Sequence, residues 1–205
     1  MTSPLLELPG AVPPRTQSPD PGVAWHYGDP LGEQRAAERG VAVVDRSNRE
    51  VLAVPGEDRL NWLHTITSQH LLALADGEHT EALVLDLRGH VEHHAVVSHV
   101  DGTVWLDTEP AAAQPLLAYL TSMVFWAKVE PRDATAELAV LSLLGPDTHQ
   151  LARVWGHGIV GMMHAAGDWW LRERPCSRER LVQHLADLLW GQLATAKDLR
   201  EGPGF

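Results

Sequence analysis

The chain has 205 residues, 44% of them apolar, enough for one large domain or two small ones around a packed core. Its 16 Lys and Arg against 27 Asp and Glu leave a formal charge of −11. Such a surface repels phosphate backbones and anionic lipid, so nucleic acid and membrane surfaces rank low as partners. A single cysteine, Cys176, excludes an internal disulfide framework and any multi-thiolate metal or iron–sulfur site built by this chain alone. The first residues carry no basic leader. No apolar run approaches the roughly 18 residues of a membrane span. A reducing cytoplasm is the expected location.

Residues 1–30 hold seven prolines, from Pro4 to Pro30, and read as an extended arm. Trp25, His26 and Tyr27 are placed to pin its end. A short helix is expected over Leu31–Arg39, stopped by Gly40. Strands follow at Val41–Asp45 and Glu50–Val54. Gly56-Glu57-Asp58 then opens a helix with Leu60, Leu63 and Ile66 on one face. Thr80–Leu87, Val91–Val100 and Thr103–Asp107 read as strands, the last two joined by an Asp101-Gly102 hairpin turn. Pro110–Met123 is a helix, with Pro115 as a possible bend, and Val124–Pro131 a returning strand. The order β-α-β-β-β-α-β, with helices on one side of a mainly antiparallel sheet, is an α+β arrangement. Three parts are expected: a Pro-rich arm and short helix over 1–39, a first α/β subdomain over 40–137, and a second, incomplete one over 138–205.

The second part opens as the first did. Val51-Leu52 precedes Gly56-Glu57-Asp58, and Val140-Leu141 precedes Gly145-Pro146-Asp147, at a constant offset of 89 residues. Glycine permits a sharp exit from a strand, and aspartate in a first turn complements a helix dipole. We read the pair as a pseudo-repeat. Beyond it, Asp168–Arg172 reads as a strand and Ser177–Leu189 as a helix with Ser177 at its N-cap.

Four segments resemble, in order and spacing, the YgfZ/GcvT (aminomethyltransferase-like) family. They are Gly40–Ser47, with Asp45 and Ser47; Val51–Asp58, followed by Leu60, Trp62 and Leu63; Thr67-Ser68-Gln69-His70-Leu71; and Leu83–Val91 with its Arg88-Gly89 turn. The resemblance covers about half the chain well and continues faintly to Leu193. It implies an α+β body of two related α/β subdomains with mainly antiparallel sheets. It implies that tetrahydrofolate, or a one-carbon derivative, is bound in the central hole of a ring completed by a C-terminal barrel. For the YgfZ-like branch it implies support of iron–sulfur enzymes and tRNA thiolation. Possible partners are then a second copy of the chain or an iron–sulfur protein.

Two departures limit what is inherited. Aminomethyltransferases carry paired aspartates just after the Gly89-type turn, one of them catalytic, and here that place reads Glu92-His93-His94. Standard glycine-cleavage chemistry is therefore not expected. The K-G-C-Y-x-G-Q-E segment of the YgfZ branch is also absent, and Cys176 lies in an unrelated context; the chain reads as a truncated or degenerate member. As a folate site, Glu92, His94, Val96 and Ser98 would line one wall of the strand. No catalytic residue follows from the sequence. A non-catalytic interaction module, with an apolar patch around Trp169-Trp170, is the alternative. A metalloenzyme using the His90–His94 strand ranks last, because no second cluster with ligand spacing accompanies it. Ligands at every second strand residue span about 13 Å, so without a bulge one ion does not easily take all three. His90 with Glu92, or Glu92 with His94, plus a distant ligand is the more credible set. No metal is assigned. Trp62, Trp105, Trp126 and Trp155 are expected in the core.

Overall fold

The computed structural model describes residues 2–148, together with Arg172, Ser177 and Arg180. The chain divides into two compact units, Met1–Pro146 and Asp147–Phe205, and all elements below belong to the first. They are a 3-10 turn at Pro4–Glu7, α1 (Pro30–Arg39), β1 (Ala42–Asp45), β2 (Glu50–Pro55), α2 (Arg59–Ile66), β3 (His79–Leu85), β4 (Val91–Val100), β5 (Thr103–Thr108), α3 (Ala113–Ser122), β6 (Arg132–Asp133) and β7 (Leu141–Leu144). The expected Trp155, Trp169-Trp170, Cys176 environment and the two elements after Gly145 lie outside the described residues.

Five strands form one antiparallel sheet in the order β3-β4-β5-β2-β6. Alternation along each strand sends one set of side chains to the helices. Leu52, Val54, Ala82, Val84, Ala95, Val97, Val104 and Leu106 are buried on that face, under Trp62 and Leu63 of α2 and Leu116 and Leu120 of α3. Burying each such leucine is worth roughly 1.5–3 kcal/mol, so this face anchors the unit. The hairpin turn between β4 and β5 forms with φ of 49° at Asp101 and 71° at Gly102, as two-residue hairpins require. Pro115 falls in the first turn of α3, where a missing N–H breaks no helical bond.

The returning strand expected over 124–131 is the main local error. Ala127 N–H bonds the Val124 carbonyl at 2.9 Å, and Phe125 sits at φ 41°, so this stretch is a turn. Its next donors serve the entry to α2. Lys128 N–H reaches Asp58 Oδ2 at 2.8 Å and Glu130 N–H reaches the Pro55 carbonyl at 3.2 Å. Only Arg132 and Asp133 are left to pair with β2. Trp126, expected in the core, is consequently 92% exposed at the turn tip. Trp62 is buried and donates its Nε1–H to the Met123 carbonyl at 2.9 Å.

The pseudo-repeat is visible in the backbone. Gly56 and Gly145 have φ of 125° and 122°. A Cβ at Gly56 would lie 2.0 Å from the Lys128 carbonyl oxygen, and one at Gly145 2.2 Å from that of Gly40. Each strand exit is thus pressed against another segment, a place only glycine fits. The second strand, β7, pairs with β1 in a separate two-stranded ribbon. The arm is tied to the body by the Ser3 hydroxyl on buried Asp45, by Asn48 on Asp20 at 3.0 Å, and by a bridge between Val12 and His26. Trp25 stays exposed, with the Arg15 guanidinium 4.7 Å above its ring.

Candidate functional site

The second face of the five-stranded sheet carries the chemistry. Register places its residues in rows across β3, β4, β5 and β2. Glu81, Val96, Asp107 and Val51 form one row; Ser98, Trp105 and Ala53, with His79 at the β3 end, form the next. His94 stands opposite Leu83 in the row before these. Val51 and Ala53 are buried here under Ala134, with Trp105 and Val140 packed beside them. The β3–β4 half is left open.

Ion pairs organise the open half. The Arg49 side chain is only 6% exposed, and each of its three guanidinium nitrogens donates a hydrogen bond. Its Nε donates to Asp107 Oδ1, its Nη1 to Glu109 Oε1 at 3.0 Å, and its Nη2 to the Asp107 carbonyl at 3.0 Å. Glu109 Oε1 also lies 3.2 Å from His94 Nδ1, and the Thr108 hydroxyl stands 3.3 Å from Glu109 Oε2. Burial works to raise the Glu109 pKa, but hydrogen bonds from its own backbone N–H, Arg49 and His94 outweigh that and hold it down to about 2. Burial likewise opposes the charge on Arg49, and its two carboxylate partners overcome it and raise its pKa. His94 Nε2 is 3.8 Å from Glu81 Oε2.

Beside this network lies a cleft of about 240 Å3 lined by Val51, Ser98, Trp105, Asp107 and residues 138–141. The loop carrying its outer wall is fastened by an ion pair between Arg132 and Glu137 and by Val51 N–H on Thr135 Oγ1 at 3.1 Å. A second void, about 20 Å3 inside the helix-covered core, holds no more than a water.

Of the four residues assigned to a ligand wall, His94, Val96 and Ser98 alternate with buried Ala95 and Val97 and share the open face. Glu92 does not follow them by simple alternation. Val84 pairs with His93 but Leu85 pairs with Val91, so Glu92 is the extra residue of a β-bulge. Its charge acts instead on Tyr119 of α3, whose phenol is raised by burial first and by Glu92 second. His90 lies in the preceding turn with Nδ1 2.9 Å from Asp86 Oδ2, off the β4 strand. Among the described residues no three His, Cys, Asp or Glu side chains come together as metal ligands. Sequence reasoning missed Arg49, Asp107 and Glu109. The Asp107-x-Glu109 spacing puts two carboxylates on one strand face, but nothing local links them to a residue 58 positions earlier.

The described unit has an aminomethyltransferase-like fold. It superposes on the glycine cleavage system aminomethyltransferase T of Bartonella henselae with a TM-score of 0.60 and 19% identity, over 74% of this chain and 42% of that one. The GCVT N-terminal domain model matches residues 24–158, and the chain belongs to that family. A chloroplastic protein of Arabidopsis thaliana that carries a transferase name is 27% identical over 117 residues. That match spans 57% of this chain and 27% of the relative, so the chain covers about a quarter of that protein's length. A second model, the Tetracyclin repressor-like C-terminal domain, matches residues 134–205, about a third of the chain. No helix among the described residues is long and apolar enough to cross a membrane.

Proposed function

We propose that this protein binds tetrahydrofolate, or a one-carbon derivative of it, on the open face of the five-stranded sheet. The observation that carries the reading is the cleft between the sheet and residues 138–141, on the face that the helices leave free. Its chemistry suits a flat, nitrogen-rich ring. Trp105 offers an indole to pack against it, and Ser98 and Asp107 offer acceptors for ring N–H groups. Val51, Leu138 and Val140 supply the apolar remainder, the usual make-up of a small-molecule site. His94 and Val96 extend the wall toward Glu81. Standard aminomethyl transfer is not part of the proposal, because the place of the paired aspartates holds Glu92-His93-His94. A YgfZ-like role, supporting iron–sulfur enzymes or tRNA modification in the cytoplasm, completes it; what supports that part is the family resemblance together with the replacement of the paired aspartates.

Calorimetry with tetrahydrofolate on the full chain tests the reading. Micromolar binding that weakens at least tenfold in Trp105→Ala is the expected result. No heat at millimolar ligand, from a chain shown to be folded, overturns it. Equal affinity in Trp105→Ala would move the ligand off this face.

A second reading, an interaction module, is favoured by one observation. Phe125 and Trp126 stand 76% and 92% exposed, side by side with ring centroids 6.0 Å apart. Exposed aromatic pairs of this kind are typical anchors at protein interfaces. Concentration-dependent sedimentation that disappears in Trp126→Ser would favour self-association through this turn.

A further inference from the structure

Two histidines of β4, five residues apart, are wired differently, and the contrast defines a chemical group. His99 points to the helices and is buried. Its Nδ1 lies 3.0 Å from the Leu74 carbonyl, which can only accept, so Nδ1 carries the hydrogen. Its Nε2 lies 2.9 Å from Arg59 Nη2, which can only donate. Both ring nitrogens are consumed by the fold.

His94 points to the open face with its side chain 31% exposed. Its Nδ1 is 3.2 Å from the carboxylate of Glu109, an acceptor only, so here too Nδ1 carries the hydrogen. The same carboxylate oxygen is held by Arg49 Nη1 at 3.0 Å. The Thr108 hydroxyl donates its one hydrogen to the His94 carbonyl at 2.8 Å and so fastens the backbone that bears the imidazole. The second ring nitrogen differs from that of His99. Nε2 of His94 is 3.8 Å from the nearest Glu81 oxygen, beyond hydrogen-bond reach, and accepts from no donor among the described residues. A carboxylate fixing Nδ1–H while Nε2 faces outward is how an imidazole is held as a base.

We propose that His94 Nε2 is the proton acceptor of the open face, serving an N–H or ammonium group of the ligand in the adjoining cleft, with Glu109 and Arg49 as its positioning residues. This rests on the reading that the face binds a nitrogen-rich ligand. The step balances within the site. The proton passes from ligand nitrogen to Nε2, and the electron pair of the broken N–H bond stays on the ligand nitrogen. The imidazolium so formed donates from Nδ1 to Glu109 and faces the Glu81 carboxylate from Nε2. The row of His94 lies about 7 Å along the strand from that of Asp107 and about 13 Å from that of Ser98 and Trp105. A ligand with its ring beside Trp105 must therefore present the reacting nitrogen some distance along its arm.

The test uses two-bond proton–nitrogen spectra of the 15N-labelled full chain at mildly alkaline pH. The His94 signals are assigned by their loss in His94→Gln. The expected result is the Nδ1–H tautomer in the wild type and a shift toward the Nε2–H tautomer in Glu109→Gln. An Nε2–H tautomer in the wild type overturns the proposal. Adding tetrahydrofolate should move the Nε2 resonance of His94 but not that of His99, and His94→Ala should weaken tetrahydrofolate binding about tenfold, the worth of one hydrogen bond. Binding that leaves Nε2 of His94 unmoved and survives His94→Ala at full affinity sinks the proposal while the folate reading stands. If the folded wild type does not bind tetrahydrofolate, the folate reading falls, and the tautomer alone then decides for or against His94 as a poised base.

Discussion

The two faces of the five-stranded sheet use the same backbone for opposite ends. The face under α2 and α3 is apolar, and its one buried histidine, His99, has both nitrogens tied up. The opposite face carries Arg49, Glu81, His94, Asp107 and Glu109 in adjacent rows, and a cleft beside them. Alternation alone explains the division, since neighbouring residues of a strand point to opposite sides. The lesson is that stability and ligand chemistry are interleaved residue by residue along β4 and β5, yet separable by mutation.

The comparison is broken most severely from the covered side. Leu63→Ala removes a side chain with no solvent exposure from the α2 contact and should cost about 3 kcal/mol of unfolding free energy. Urea denaturation measures it; a loss below about 1 kcal/mol would mean that α2 is not part of the cooperative core. Arg49→Leu comes next, because it strands Asp107 and Glu109 without their cation. A loss of about 2 kcal/mol is expected, with binding on the open face reduced in parallel. A stable Arg49→Leu chain with unchanged ligand affinity would show that the ion network organises nothing.

A pH titration of stability sharpens the same contrast. The Glu109 carboxyl titrates near 4.5 when unperturbed and is held down to about 2 in the fold. Its folded pKa is depressed, so its contribution is complete above about pH 4.5 and is lost as pH falls toward 2. The difference between wild type and Glu109→Gln should therefore shrink across that window and stay constant above it. A difference that grows toward acid would reverse the assignment. Ser98→Ala should leave stability within about 0.5 kcal/mol while weakening ligand severalfold, since the hydroxyl lies on the open face. The smallest effect belongs to Trp126→Ser. The ring is outside the core, so thermal unfolding should move by about 0.5 kcal/mol or less.

Local patterns carried much of the fold. Two-residue alternation located β2, β4 and β5 within a residue or two. The Asp101-Gly102 pair announced its hairpin, and the spacing of Gly56 and Gly145 announced the pseudo-repeat. The failures share a cause. Val124–Pro131 has strand-forming residues, but its backbone donors found partners at Asp58 and Pro55, so Trp126 was left in solvent. Glu92 has the parity of the open face, but a bulge opposite Leu85 removes it from the series. Arg49 sits in an unremarkable turn, and its importance comes from carboxylates on a strand more than fifty residues away.

The sequence by itself determined the α+β class, the strand faces, the family and the common face of His94, Val96 and Ser98. These follow from periodicity, turn chemistry and short motifs, all of which act over a few residues. Tertiary structure decided which histidine of β4 keeps a free nitrogen and which does not. His94 and His99 both lie on one strand with odd spacing between them, so alternation predicts opposite faces but not their partners. Those partners, Glu109 (itself held by Arg49) for one and Arg59 and Leu74 for the other, arrive from separate elements only when the sheet and its helices close together.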